Sequence, residues 1–320
     1  MITIDGGMLE GGGQIVRTAV ALAAVSGEPV TIQNIRKNRT VPGLAAQHVA
    51  AVKAAAAISN ASITGVFVGS GEEITFLPGE PEKKDISIDI GTAGSIPLVL
   101  SAWLPPALKT GGSITVTGGT EVRSAPTIDY CDCVFLEYLR SHGAQISLEI
   151  LVRGYYPDGG GSVRVSVEPS RITPLGTSAP AGFGIVSASS GLPDHVASRQ
   201  ADAAASVAGE LPIRIVRQKG PSVGSSCTVF SGGHGGSALG RRGLPAEAVG
   251  RRAAEAFLQG QSSDLDPHAA DQLLPYLALY GGSFCTTDLT SHAMTVISLL
   301  GDFGHSISVS DHANCVEVSA

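Results

Sequence analysis

The stretch that decides the fold is EGGGQIVRTAVALAAVSGEPVTIQNIR, which runs from Glu10 to Arg36. Three glycines open it, and an apolar run follows up to Gly27, a residue type that commonly ends helices. The next residues alternate between apolar and polar, as they do in a half-buried strand. The stretch therefore predicts a glycine loop, an apolar helix and a strand, with the start of the helix facing back toward the loop.

The same arrangement occurs twice more, which indicates a weak internal repeat. The second copy is GTAGSIPLVLSAWLPPALKTGGSITVTGG (residues 91–119), and the third is TSHAMTVISLLGDFGHSISVSD (residues 290–311). Amphipathic second helices are predicted in PGLAAQHVAAVKAAAAIS, where Pro42 would open the helix, and directly after Ser124. The fold class that follows is α+β, built from repeated modules in which helices cover small sheets.

The repeat is interrupted after residue 170, where RITPLGTSAPAGFG is rich in Pro, Thr, Gly and Ser. A strand near Ile185, a helix at 197–209, a strand at 213–218, a glycine-rich strand pair around 227–239 and a helix at 245–260 are predicted to follow. The repeat resumes at residue 267. We therefore expect a small α/β domain at residues 176–262, inserted into a large repeat domain of residues 1–175 and 263–320.

Composition excludes several classes of function. The 320 residues carry a formal charge of −7, which argues against a protein that coats nucleic acid by bulk electrostatics. Aromatic residues make up 5% of the chain, too few for a module that stacks many bases. The five cysteines contain no C-x-x-C pair, and neither a leader nor a bilayer-long apolar run is evident. We therefore expect a reduced, cytoplasmic protein without a zinc site and without a membrane partner.

A local pocket for phosphates is nevertheless indicated near the first copy of the repeat. Between residues 11 and 70 the charged residues are five cations and one acid, a local charge of +4. The chain has neither a G-x-x-x-x-G-K-[ST] loop nor a dinucleotide fingerprint. The glycines at the helix start suit an anion, although taken alone they fit a simple turn better. What favours an anion site is the nearby group of Arg17, Arg36, Arg39 and Gln47.

Three further positions at helix starts each allow two interpretations. His292, after a run of hydroxyl and acidic side chains, either caps an apolar helix or serves as a nucleophile or phosphate ligand. His268, Asp271 and Gln272 share one helix face, which is either exposed to solvent or lines a pocket for a base or ribose. Glu10 fits either a divalent metal between phosphates or an acid at the helix N-terminus.

Together these segments resemble the RNA 3′-terminal phosphate cyclase family, of the ATP-dependent archaeal and bacterial type. The resemblance runs in order from residue 5 to about residue 313. It rests on DGGMLEGGGQIVRTAVALA, IRKNRTVPGLAAQHVAAVKAA, IGTAGSIPLVL, GGTEVRSAPTIDY, RGYYPDGGG, HAADQLLPYLALYG and SHAMT. It implies an architecture like that of the enolpyruvyl transferase superfamily: three βαβαββ modules, each like the C-terminal domain of translation initiation factor three, plus one inserted domain.

The resemblance also implies an activity and a set of roles. Family members use ATP to convert an RNA 3′-phosphate into a 2′,3′-cyclic phosphate, through a covalent histidyl-AMP and an AMP-capped RNA end, and release AMP and diphosphate. His292 in SHAMT matches the nucleophile, and Glu10 matches the ligand of a divalent metal, Mg or Mn. Matching positions imply phosphate contacts at Arg17, Arg36, Arg39 and Gln47, and an adenine and ribose wall at Pro126, His268, Ala269, Ala270, Asp271 and Gln272.

Three positions depart from the family pattern. His268 stands where the family often has tyrosine, Ser101 where it often has glutamine, and Val296 where an asparagine often follows the histidine motif. Two other classes remain as alternatives: a cyclase-like ribosome-assembly factor that lacks the nucleophilic histidine, and an enolpyruvyl transferase of the same superfamily. The presence of His292 together with the arginines favours the cyclase. The oligomeric state is left open.

Overall fold

In a computed structural model, which describes residues 1–9, 11–177 and 182–320, the first part of the chain forms one sheet covered by two helices. Its elements are β1 (Ile2–Asp5), α1 (Gly13–Ser26), β2 (Val30–Gln33), α2 (Ala46–Ile58), β3 (Ser62–Thr64) and β4 (Glu73–Leu77). The strand order is β1-β2-β4-β3, with β1 parallel to β2 and the other pairs antiparallel. The predicted glycine loop, apolar helix and strand are present in this first copy.

A second sheet has the same topology. Its elements are β5 (Lys84–Asp89), α3 (Ile96–Thr110), β6 (Gly112–Gly118), a second helix, β7 (Gln145–Val152) and β8 (Gly161–Glu168). The second helix consists of α4 (Ile128–Tyr130), a π-helical segment (Cys131–Leu136) and α5 (Glu137–Ser141). The strand order is β5-β6-β8-β7, again with only the first pair parallel. The α+β class predicted from the sequence is confirmed.

A further sheet lies between the second and third copies of the repeat. Its elements are β9 (Phe183–Ser190), α6 (His195–Ala208), β10 (Ile213–Gln218), β11 (Gly224–Ser231), β12 (His234–Leu239) and α7 (Ala246–Gln259), with strand order β10-β9-β11-β12. Each predicted strand and helix of this region is present. The limits of an inserted domain at residues 176 and 262 stay a prediction.

The last sheet has three strands, and its missing first strand is replaced by a single residue. Its elements are α8 (Pro267–Tyr280), β13 (Ser283–Thr286), α9 (Ser291–Asp302), β14 (Ser308–Asp311) and β15 (Val316–Ser319), with strand order β13-β15-β14. Leu175 forms a parallel bridge to Gly282. Its backbone N–H donates to Gly281 at 2.8 Å, and its carbonyl accepts from Ser283 at 2.9 Å. Leu175 therefore takes the place that β1 and β5 hold in the other two sheets.

This arrangement corrects the predicted register of the third copy. Because α8 joins the first-strand position to β13, α8 corresponds to α1 and α3, whereas α9 corresponds to the second helices. Equating α9 with α1 was wrong. The glycine pairs after α3 and α8 support the new register: a Cβ on Gly112 would overlap the carbonyl oxygen of Lys84, and one on Gly282 would overlap that of Leu175.

Two predicted helix starts were also wrong. The helix α2 begins at Ala46 instead of Pro42. Gly43 has a left-handed φ of 80°, and its N–H donates to the carbonyl of Ile35, so this segment belongs to a loop. The helix expected after Ser124 begins at Ile128, because Thr127 is its N-cap residue: the Thr127 backbone is extended, and its hydroxyl oxygen accepts from the N–H of Tyr130 at 3.2 Å.

The helices pack on one another, and the sheets cover them from outside. Contacts join α1 to α2, α3 and α9, and α3 carries the fully buried Trp103. In β8, the buried Val163, Val165 and Val167 alternate with more exposed residues, as expected for a sheet with one wet face. No helix in the described ranges is long and apolar enough to cross a membrane. The starts of α1, α2, α3, α8 and α9 lie around one cavity, which is the candidate functional site.

Candidate active site

The site is a cavity of about 980 Å³ that lies where several helices begin. The starts of α1, α2, α3, α8 and α9 contribute to its lining, together with part of β12. Backbone N–H groups in the first turn of a helix have no partner within the helix, and the helix dipole makes this end positive. The convergence of these helix starts on one cavity favours an anionic ligand.

The glycine loop leaves the start of α1 open toward the cavity. Gly12, the N-cap residue, has an extended backbone (φ −81°, ψ 165°) and no side chain that could cap the first turn. A Cβ placed on Gly12 would lie 3.1 Å from Nη2 of Arg39 and 3.8 Å from Cε1 of His292. The absent side chain therefore lets a guanidinium and an imidazole from distant segments approach the same helix end.

The three predicted arginines all line the cavity. Burial, and to a lesser extent the nearby Arg36, lower the pKa of Arg17 to about 10, so Arg17 stays charged at neutral pH. Burial and Arg39 lower the pKa of Arg36. Arg36 is held in place because its Nη1 donates to the carbonyl of Gly43 at 2.7 Å. An anion between these cations would relieve their mutual repulsion.

Gln47 also lines the cavity, and part of its side chain is already engaged. Its Oε1 accepts from the backbone N–H of Ser95 at 2.9 Å, and Ser95 is the N-cap residue of α3. The contact fixes the start of α2 against the start of α3. Only the amide nitrogen of Gln47 is then left to donate to a ligand, as the predicted phosphate contact requires.

His48 is a cavity residue that the sequence reasoning missed. It is buried, and its Nδ1 accepts from the backbone N–H of Ala45 at 3.0 Å. Burial, followed by the charges of Arg17 and Arg36, lowers the pKa of His48 to about 3. The ring is therefore neutral with its proton on Nε2, the atom that a Cβ on Gly13 would overlap. A histidine beside the predicted Gln47 in an alanine-rich helix was the available signal.

His292 lies in the first turn of α9, on the exposed side of the helix. Thr290 is the N-cap residue, and its hydroxyl oxygen accepts from the N–H of Ala293 at 3.1 Å. The amide of Gln14 donates to the carbonyl of His292 at 3.4 Å, so α9 and α1 meet at their N-termini. The predicted nucleophile is thus brought to the glycine loop and Arg39, as a phosphoryl-transfer site would require.

The predicted nucleotide wall is only partly on the cavity surface. Pro126, His268, Asp271 and Gln272 line the cavity. Ala269 and Ala270 do not, because both are fully buried in the core on the other side of α8. Successive helix residues point about 100° apart, so the side chains of these two alanines face away from the cavity, and a contact with the nucleotide through their backbone stays a prediction. His268, Asp271 and Gln272, at positions i, i+3 and i+4, share the face of α8 that meets the cavity.

Asp266 is a second residue that the sequence reasoning missed. It caps α8 by accepting from the N–H groups of His268 and Ala269 at 2.8 and 3.0 Å. Its carboxylate also accepts from the hydroxyl of Tyr130 and from the N–H of Gly235, both at 2.8 Å. One buried carboxylate thus holds α8, α4 and β12 around the cavity. The capping pattern Asp-Pro at a helix start was the available signal.

The described residues supply no complete metal site of their own. Glu10, the predicted metal ligand, lies outside them, and they contain no group of three His, Cys, Asp or Glu side chains that could hold an ion. The two aspartates of the cavity wall have other partners: Asp266 binds Tyr130 and Gly235, and Asp271 binds Thr290. A metal here would therefore depend on Glu10 and on ligand oxygens.

Known proteins are similar to this chain over most of its length. A family model described as RNA 3'-terminal phosphate cyclase matches residues 8–307. A protein named RNA 3'-terminal phosphate cyclase from Archaeoglobus fulgidus is 45% identical, with 95% of each chain covered. Proteins of the same name from Methanococcoides burtonii and Thermococcus kodakarensis are 45% and 41% identical over 93% and 94% of this chain and 92% of their own. All residues that line the cavity lie within the residues that the family model matches.

Proposed function

Because the chain belongs to the RNA 3′-terminal phosphate cyclase family, we propose that it converts an RNA 3′-phosphate into a 2′,3′-cyclic phosphate with ATP as co-substrate. The match to the family model and the names of the similar proteins confirm the family and the enzyme class predicted from the sequence. The observation that carries the reaction is the position of His292 beside Arg39 at the open start of α1. An imidazole, a guanidinium and the backbone N–H groups of a helix start meet there.

The chemistry explains why ATP is needed. A 2′-hydroxyl cannot readily displace oxide from a neighbouring 3′-phosphate, so one phosphate oxygen must first become a good leaving group. Transfer of AMP to that oxygen provides one. The enzyme then has two tasks, which are to activate the α-phosphate of ATP and to hold the RNA end in line with it.

In the first step an unprotonated ring nitrogen of His292 attacks the α-phosphorus of ATP. The nitrogen–phosphorus bond forms, the bond to the bridging oxygen of the β-phosphate breaks, and diphosphate leaves. Arg17, Arg36 and Arg39 line the same cavity, and they would neutralise the charge that develops on the diphosphate. The N-terminus of α1 would support the α-phosphate itself.

In the next two steps the AMP moves and then departs. An oxygen of the RNA 3′-phosphate attacks the α-phosphorus, the bond to His292 breaks, and the ring is regenerated. The 2′-hydroxyl then loses its proton and attacks the 3′-phosphorus, and AMP leaves with the bonding electron pair. The wall of Pro126, His268 and Gln272 is proposed to hold adenine and ribose throughout these steps.

A divalent cation, Mg²⁺ or Mn²⁺, is part of the proposal. Mg²⁺ commonly binds one or two carboxylates together with substrate phosphates, and Glu10 next to the glycine loop fits that pattern. When bound, the ion would screen the negative charge of the triphosphate. The protein side chains that orient the phosphates remain the arginines and Gln47.

The experiment that tests the function follows label from the α-phosphate of ATP. Wild-type protein should retain label after denaturation, and His292→Ala should retain none, while His305→Ala, three residues beyond the C-terminal end of α9, should label normally. An RNA that ends in a 2′-deoxy, 3′-phosphate nucleotide should accumulate as the AMP-capped species, since ring closure needs the 2′-hydroxyl. Wild-type protein without label would instead favour a non-catalytic assembly factor or an enolpyruvyl transferase.

A further inference from the structure

Two loops at the edge of the first sheet lie side by side next to the arginine cluster. One loop, residues 36–43, follows β2, and the other, residues 65–72, joins β3 to β4. The backbone N–H of Leu44 donates to Ser70 and that of Gly69 donates to Leu44, both at 2.8 Å. The N–H of Ile35 donates to the carbonyl of Gly71 at 2.9 Å. Because Ile35 and Leu44 flank the first loop, these bonds hold it beside the second loop, and the two loops form one continuous surface.

This surface exposes three large apolar side chains. Val41 is 69% exposed, Phe67 is 63% exposed and Val68 is 64% exposed. Single exposed apolar residues are common on proteins, but a group that contains an aromatic ring next to a binding cavity indicates an interaction site. We call the surface formed by Lys37, Asn38, Val41, Phe67 and Val68 the Phe67 rim.

The charge beside the rim has the sign of a nucleic-acid partner. Arg36 and Arg39, from the same loop, line the cavity, and Lys37 between them is exposed. No carboxylate of the described residues forms an ion pair with Lys37. Asn38 is fixed because its Nδ2 donates to the carbonyl of Gly7 at 2.9 Å. The exposed Glu72 at the end of the second loop still leaves the three cations of the first loop in excess, so in a chain of net charge −7 this edge favours an anion.

We propose that the Phe67 rim binds the single-stranded RNA just upstream of the 3′-phosphate. The inference rests on the proposed function, in which an oxygen of the RNA 3′-phosphate attacks the phosphorus that is bound to His292. The chain that leads away from that phosphate leaves the cavity past residues 37–41. Phe67 then stacks on an upstream base, and Lys37 contacts a backbone phosphate. Such stacking tolerates any base, so the rim binds RNA ends without regard to sequence.

The cavity has another edge with an aromatic ring and a cation. The guanidinium of Arg123 lies 5.5 Å from the ring centre of Tyr156, which is 52% exposed. Ser124 to Pro126, which follow Arg123, line the cavity on the wall proposed for adenine. The Phe67 rim instead continues from the arginines proposed for phosphates. The upstream part of the RNA is therefore proposed to lie on the Phe67 rim, and Tyr156 on the other edge is the control residue.

The experiment measures the two half-reactions separately. Phe67→Ala should take label from ATP alone at the wild-type rate. AMP transfer to a 3′-phosphorylated RNA of about ten nucleotides should show a KM for RNA that is about 5- to 150-fold higher. A nucleoside 3′-phosphate, which has no upstream base, should react equally with both proteins. Phe67→Trp should restore the wild-type KM, and Lys37→Ala should weaken the salt dependence of RNA binding.

Two control variants separate the rim from general surface effects. Phe183→Ala removes a ring that is 56% exposed on β9, and Tyr156→Ala removes the ring of the other edge. Both should keep the wild-type KM for the longer RNA. An unchanged KM in Phe67→Ala, or a raised KM in Tyr156→Ala alone, would overturn the proposal while normal ATP labelling upholds the function. Wild-type protein that takes no label would remove the proposed function and the rim with it.

Discussion

Thr290 donates its hydroxyl proton to Asp271, with oxygen–oxygen distances of 2.9 and 2.8 Å to the two carboxylate oxygens. The same hydroxyl oxygen accepts from the N–H of Ala293 and so caps α9. Since Asp271 belongs to α8, this contact fixes the start of one helix against the other, two residues before His292. Asp271, predicted as part of the nucleotide wall, is thus also placed to position His292, the predicted nucleophile.

Removing this hydroxyl should loosen the start of α9. We expect Thr290→Val, which keeps the shape of the side chain, to lower the free energy of unfolding by about 1 kcal/mol through the lost cap. It should also slow AMP labelling of His292, whereas Thr290→Ser should behave as wild type in both measurements. Urea denaturation and single-turnover labelling test this, and wild-type labelling in Thr290→Val would show that the cap does not position the histidine.

The arginines should matter for adenylation. Arg17→Ala or Arg39→Ala should raise the barrier for labelling by about 1–3 kcal/mol, because each removes a charged hydrogen bond to a phosphate. The matched control is Arg164→Ala on β8, whose side chain is 54% exposed and which is not among the residues that line the cavity. Labelling rates at several ATP concentrations give the comparison. Wild-type rates in both cavity variants would mean that the cluster does not bind ATP.

Gly13 should tolerate no side chain. Because a Cβ there would overlap Nε2 of His48, Gly13→Ala should lower the free energy of unfolding by about 1–3 kcal/mol. Adding His48→Ala should recover part of that loss, since the two residues share one space. Gly301→Ala, in α9 with no atom within 4 Å, is the matched control and should be neutral or slightly stabilising. Equal stabilities of the two single variants would contradict the close approach.

The stability of the protein should fall at acid pH partly through His48. The fold lowers the pKa of His48 from 6.5 to about 3, mainly by burial. Between these values the unfolded chain binds a proton at this site and the folded chain does not, so the free energy of unfolding decreases as the pH falls. The contribution is at most about 1.4 kcal/mol for each pH unit.

The measurement is urea denaturation of wild type and His48→Gln at about pH 7 and about pH 5. Wild type should lose more stability over this interval than the variant, because glutamine does not titrate. His305→Gln, which replaces a histidine outside the cavity, should follow wild type. Identical losses in wild type and His48→Gln would show that His48 accepts a proton in the folded state.

The sequence predicted the parts of the site that its motifs carry. Arg17, Arg36, Arg39, Gln47 and His292 stand at loops and helix starts, and the structure gathers all of them around one cavity. His48 and Asp266 were missed because their importance depends on partners far along the chain, such as Gly13 and Gly235. The roles of the gathered residues stay predictions, as does a metal ligand at Glu10.

The register of the third copy could not be read from local pattern. Both α1 and α9 follow polar or glycine-rich loops and are apolar, so the two helices look alike in sequence. What distinguishes them is a strand pairing between Leu175 and Gly282, across an intervening sheet. The burial of the two alanine side chains of α8, by contrast, was predictable, because helical periodicity alone turns Ala269 and Ala270 away from the face of His268.

The bridge between Leu175 and Gly282 has a consequence for how the chain folds. A contact between residues about a hundred positions apart carries a large loop-closure entropy, which slows folding. Here the other end of the intervening segment lies on the same strand edge, because Leu265 pairs in parallel with Thr286. Once the intervening sheet has folded, Leu175 and Leu265 at the two ends of the segment need only pair with Gly282 and Thr286. These two partners are at most about 13 Å apart along the strand. We therefore expect the last module to assemble after that sheet, with a loop-closure entropy like that of a short loop.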